Sequence, residues 1–220
     1  MPGLQLPFGK RGPAQPAAPK AEPPKPEGHE CEDCAPAKRK AALYKKIIDR
    51  YLETIEASED KSVMELRSLV VPENPVIEKI ASALKAYFRP YLYDKDFLKA
   101  AEKAFLYCRD EIRNEFLPLE FWLTPEDIFE LKAADEIDKA ILLCSLLLAL
   151  ENQSAKVVVE TQQSTRHAFV TFDFNGEFHL MDPTHDVNVT GEKEEVLKRQ
   201  IKQQESKVIY EFNNFEYNEW

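Results

Sequence analysis

Glycine is scarce in this 220-residue chain, and most of it sits at one end: four of the six glycines (Gly3, Gly9, Gly12, Gly28) fall within the first 28 residues. Nine of the fifteen prolines precede residue 38. With no recurring period, and the bias confined to one end, collagen-like, mucin-like and repeat architectures are excluded. Long apolar runs are missing as well. The longest, Ala140 to Leu150, falls well short of the ~20 residues that cross a bilayer, so no membrane partner is expected. No apolar segment follows Lys10-Arg11, which predicts no secretory leader and a cytoplasmic location. Four cysteines in such a chain argue against a disulfide framework. A basic excess is also lacking: beyond Lys40 the chain carries 22 Lys and Arg against 34 Asp and Glu. A body near −12 repels phosphate backbones, so no nucleic-acid partner is expected. Oligomeric state is not legible.

What remains divides into two parts. Residues 1–37 read as a disordered tail rich in Pro, Ala, Lys and Glu, with almost nothing to bury against the entropy of ordering. Residues 38–220 read as one domain, and Lys38-Arg39-Lys40 as the start of a solvated helix. Within the tail, His29, Cys31 and Cys34 supply three zinc-type ligands, one short of a closed tetrahedral site. A zinc site within the chain, a metal shared between two chains, a redox pair and incidental thiols all stay open there.

From Ala41 the apolar residues recur every three or four positions: Leu43, Ile47, Ile48, Tyr51, Leu52, Ile55. Asn74-Pro75, a capping residue before a proline, opens a second helix carrying Ile77, Ile80, Ala81 and Leu84. A third is expected from about Asp96, with Leu98, Ala101, Phe105, Cys108 and Ile112 inward. Thr124-Pro125-Glu126-Asp127 signals a short fourth. A fifth, Glu136 to Leu150, is apolar on nearly every side past Ala140 and so is central and buried. The period then becomes two. Strands are predicted at 156–160, 166–174 and 177–182, with Asn175-Gly176 as a hairpin turn. A polar helix near 192–204 and a strand at 207–212 follow. Helices first and strands later predict an α+β fold, a helical N-terminal part with the buried helix packed on an antiparallel sheet.

If Asn175 and Gly176 are the loop, Phe174 faces Glu177, and every opposed pair follows from that. His167 and Asp182 then share a face as diagonal neighbours, about 7–8 Å apart at the backbone and within side-chain reach. His179 falls on the opposite face as an ordinary strand residue. A carboxylate beside an imidazole fixes its tautomer and stabilises its charged form, which suits either general acid–base work or a structural pair.

Four segments in order carry a resemblance. Trp122-Leu123-Thr124-Pro125-Glu126-Asp127, Asp135-Glu136-Ile137-Asp138-Lys139-Ala140, Arg166-His167-Ala168-Phe169 and Met181-Asp182-Pro183-Thr184 together resemble the transglutaminase-like superfamily of papain-like folds. The resemblance implies a thiol enzyme in which Cys opens the central helix, His moves the proton and Asp orients His. His167 and Asp182 stand at the last two positions. Glu136 stands at the nucleophile's, Ala134 at that of the motif Gly and Phe169 at that of the Trp after His. Cys144 is eight residues along the helix, about 12 Å from Glu136 at ~1.5 Å per residue, and reads as core. The expectation is a transglutaminase-like domain inactive as a thiol enzyme, whose inherited cleft binds a peptide or protein partner. The alternative is an amide hydrolase, metal-dependent or Glu-assisted, built on Glu136, His167 and Asp182, with His185 and Asp186 extending a metal site or lying exposed.

Overall fold

The computed structural model describes residues 35–57, 63–116, 122–162, 165–201 and 208–219. The expectations for residues 1–34, including His29, Cys31 and Cys34, lie outside them. The chain forms two units, 1–42 and 43–220. The described part of the first is the opening of helix α1 (Ala35–Ala57), which starts ahead of the apolar periodicity.

Local signals set the helical starts. Asn74 accepts the Val76 N–H at 2.9 Å and Pro75 opens α3 (Pro75–Lys85), which buries Ile77, Ile80, Ala81 and Leu84. After α2 (Val63–Leu66) and α3 comes α4 (Tyr93–Leu106), which ends in a π-helical turn over Tyr107–Glu111. Its buried face is Phe97, Ala100, Ala101, Ala104 and Phe105, continued by Cys108. Leu98, expected inward, is 38% exposed. The helix begins three residues earlier than expected, and Phe97 rather than Leu98 holds the spacing of four to Ala101. In α1, Leu43 and Ile47 are buried while Ile48 and Leu52 are exposed.

Thr124 and Asp127 close a reciprocal capping box on α5 (Pro125–Leu131). α5 ends on Lys132, whose backbone takes the left-handed conformation (φ 51°). Ala134 follows in a two-residue strand, β2 (Ala133–Ala134), parallel to β1 (Arg113–Asn114). The turn into α6 (Glu136–Ala149) therefore puts its left-handed residue at Lys132, and Ala is accommodated where the resemblance implies Gly. Asp135 caps α6 by accepting the Asp138 N–H at 2.8 Å.

The sheet has the order β6-β5-β4-β3-β7-β8, with β3 (Lys156–Gln162), β4 (Thr165–Phe174), β5 (Glu177–Asp182), β6 (Val187–Gly191), β7 (Val208–Phe212) and β8 (Tyr217–Glu219). All five pairings are antiparallel. Phe174 pairs with Glu177 and Val170 with Met181, the register the Asn175-Gly176 turn dictates. β6 and β8 were not anticipated; they are short, mostly exposed edge strands. α7 (Lys193–Gln200) is shorter than expected.

Strand alternation gives the sheet two apolar faces. Ala168, Val170, Phe172 and Met181 join the main core with Ile141, Leu143, Cys144 and Leu147 of α6. Phe169, Phe178, Leu180, Val158 and Ile209 form a second cluster with Val196 of α7. Each leucine that α6 buries contributes about 1.5–3 kcal/mol, so the helix is the fixed frame on which its own N-terminus is presented. Among the described residues no helix is long and apolar enough to cross a membrane.

Candidate functional site

The N-terminus of α6, the start of β4 and the end of β5 meet at one rim of the sheet. His167 belongs by alternation to the face turned from α6, while Ala168 faces the helix. The β4–β5 ladder ends at Val170–Met181, and beyond it the strand ends leave room for Glu136. Its Oε1 accepts the backbone N–H of Ala168 at 2.9 Å and lies 3.6 Å from His167 Nε2. That is ion-pair rather than hydrogen-bond distance, so the expected direct Glu136–His167 pair is loose.

The close partner of His167 is Asp182, with Nε2 to Oδ2 at 2.8 Å. The other ring nitrogen, Nδ1, lies 3.6 Å from Oε2 of Glu160, the residue directly across the β3–β4 ladder. Burial opposes a charge on His167, but the Asp182 and Glu160 contacts and the Glu136 charge outweigh it and raise its pKa to about 9. Asp182 is fully buried, which alone would raise its pKa; the bonds from His167 and His185 reverse this and lower it. Glu136 is raised, burial outweighing the Ala168 N–H and the nearby imidazoles.

Asp182 also shapes the loop after β5. Its Oδ1 accepts the N–H groups of Thr184 and His185 at 2.9 and 3.0 Å, a local turn that swings the His185 ring back. His185 Nδ1 reaches Asp182 Oδ2 at 2.9 Å and, because a carboxylate only accepts, carries the proton. Asp186, at φ 55°, points instead to Arg109, whose Nη1 donates to it at 2.6 Å from the π-helical turn. His185 is thus a member of the cluster although half exposed; Asp186 is a tether. Glu160 escaped the sequence reading, its only signal being an acid inside the run Val157-Val158-Val159-Glu160. His179 is buried on the other face, stacked on Phe172 and bonded to Thr190.

Neither described thiol takes part. Cys108 and Cys144 are fully buried. Burial pushes the Cys108 thiol up to about 12 and Cys144 higher still. One turn into α6, Asp138 is buried and pushed well above the usual carboxylate range by burial and by Asp135, and Lys139 is buried with no ion pair among the described residues.

Residues 120–215, under half of the chain, match the family described as the CEP76 peptidase-like domain. No curated protein sequence matches the chain. Among solved structures it is similar to "Legionella pneumophila LapG (calcium-bound)", at 12% identity and a TM-score of 0.44 over 77% of this chain and 86% of that one. The fold is α+β, with a buried helix opening at the site, His167 on one strand, Asp182 on the next and an antiparallel sheet behind them, the arrangement that a resemblance to transglutaminase-like, papain-like folds implies.

Proposed function

We propose that this transglutaminase-like domain does no thiol chemistry and uses the inherited cleft at the start of α6 to bind an extended peptide or a partner protein. One observation carries the reading: the nucleophile's position holds the Glu136 carboxylate, tied to the Ala168 N–H, while the two described thiols are sealed in the core. The mouth stays accessible, with Glu136, His167 and His185 side chains 22%, 25% and 54% exposed. The acidic body favours a partner segment of basic or polar character.

Two measurements test this. Purified protein given fluorogenic peptide amides is expected to release no product, and an alkylating reagent is expected to leave Cys108 and Cys144 unlabelled by mass spectrometry until the chain is unfolded. Labelled Lys- and Arg-bearing peptides are expected to bind in fluorescence anisotropy, more weakly at high salt, and at least tenfold more weakly to Glu136→Lys. Peptide cleavage abolished by alkylation of Cys108 or Cys144 would overturn the reading, as would peptide binding indifferent to Glu136→Lys.

A further inference from the structure

We infer that Glu136, His167, Asp182 and His185 form a tetrahedral site for a divalent transition metal of the zinc class. The inference goes beyond peptide binding and does not depend on it. Ligands from three separate parts of the chain converge: Glu136, His167, Asp182 and His185 each offer one ligand atom, and these atoms all lie within 4.8 Å of one another. Around this ring the His–carboxylate separations are 2.8, 2.9, 3.6 and 3.8 Å. Ligands at the ~2.0–2.1 Å typical of zinc bound to His and carboxylate stand about 3.4 Å apart at the corners of a tetrahedron. The observed separations straddle that value. An ion at the centre needs the two Asp182 contacts to open by about half an ångström and the two Glu136 contacts to close slightly.

The ligand chemistry selects the metal. Two imidazoles suit zinc, copper, iron or nickel, whereas calcium and magnesium take oxygen ligands. The atoms behind the ligands are also in place. His167 offers Nε2 to the ion while its Nδ1 faces the buried Glu160 carboxylate, the arrangement that orients a ligating histidine. Asp182 offers Oδ2 while its Oδ1 is held by two backbone N–H groups. Glu136 is steadied by the Ala168 N–H, and the loop carrying His185 is tethered through Asp186 to Arg109. On binding, the ion replaces the protons that His167 Nε2 and His185 Nδ1 now give Asp182; the His167 proton leaves to solvent, its Nδ1 keeping the other, and the His185 proton leaves to solvent or moves to that ring's Nε2. With four protein ligands a tetrahedral site has no open position, so its work is to clamp the start of α6 to β4, β5 and the loop after it, not to activate water.

The test uses the full chain, stripped with a chelator and titrated with Zn²⁺ or Co²⁺. Because Cys31 and Cys34 offer ligands of their own, a Cys31→Ser/Cys34→Ser variant is titrated beside it. Expected are one ion per chain by elemental analysis after gel filtration in that serine variant, and the intense visible absorption of tetrahedral cobalt without a thiolate charge-transfer band. Affinity is expected to drop at least 100-fold in His185→Ala, which removes a half-exposed ring, and 10–100-fold in Glu160→Gln. The inference is overturned if the serine variant holds no ion, if its cobalt spectrum is octahedral, or if His185→Ala, folded by circular dichroism, binds as tightly as the parent.

Discussion

Replacing Glu160 by Gln removes one negative charge from beside His167 and keeps the shape of the side chain. The two residues face each other across β3 and β4 with Oε2 3.6 Å from Nδ1. Two unit charges at about that distance attract by roughly 4 kcal/mol at an effective dielectric of 20. Solvent at the rim and the competing Asp182 contact discount this to about 1–2 kcal/mol, or about one pKa unit. Against burial, the surrounding acids raise the His167 pKa to about 9, and Glu160→Gln in chelator-treated protein is expected to lower it by about one unit, read from the imidazole carbon-bound proton shifts by NMR. The sign of the stability effect follows. A histidine whose folded pKa is raised contributes stability fully below its unfolded pKa, about 6.5, and loses it as pH rises through the folded value. Urea denaturation in chelator is therefore expected to show Glu160→Gln less stable than the parent at pH 6, with the difference shrinking by pH 10. A difference of equal size at both pH values, or a parent His167 titrating at or below 6.5, would refute the reasoning.

Lys139→Met removes a buried ammonium that has no ion pair among the described residues, and is expected to raise stability at pH 7 by about 1–2 kcal/mol in urea denaturation. Burial lowers the Lys139 pKa, so the parent regains stability as pH rises toward the unfolded value of about 10.4, and the advantage of the variant shrinks there. Phe97→Ala empties a site ringed by Tyr93, Phe172 and Phe174 at centroid separations of 5.2, 5.5 and 5.0 Å. It is expected to cost about 3–5 kcal/mol; a loss under about 1 kcal/mol would show that this junction of α4 and the sheet is not core.

Features with a local cause were legible in the sequence. Asn74-Pro75 and Thr124 with Asp127 satisfy helix N–H groups within a few residues, so their signals survive any tertiary context. Asn175 and Gly176 both take positive φ, and a two-residue turn fixes every pair along β4 and β5. That register is what brought His167 and Asp182 together on paper. The misses needed information from elsewhere in the chain. Leu98 and Phe97 are equally apolar, and only packing on Phe172 and Phe174 chooses between them. Glu160 becomes a partner of His167 only once the β3–β4 register is set, with Gln162 opposite Thr165, and Gln163-Ser164 between them is not the Asn-Gly type of pair that announces a hairpin in sequence. For His185 the sequence leaves cluster membership and solvent exposure both open, because its placement depends on both oxygens of Asp182 acting at once.

On the reading proposed above, the loss of thiol chemistry rests on more than position 136. A thiol enzyme of this kind uses one imidazole nitrogen to take the thiol's proton and the other to meet an orienting carboxylate. In this chain the nitrogen nearest residue 136 is the one Asp182 already holds, and the opposite nitrogen faces Glu160 rather than an open cleft. With carboxylates on both sides and a pKa near 9, the metal-free ring is protonated at neutral pH and has no lone pair to offer a base's role. Setting a cysteine at 136 would therefore leave it without a proton acceptor as long as Glu160 and Asp182 bracket His167. A ring held between two acids, beside a second ring turned onto the same acid, does have a use when an ion replaces the protons. On these two proposals, the acids that keep His167 protonated also help complete the ligand set.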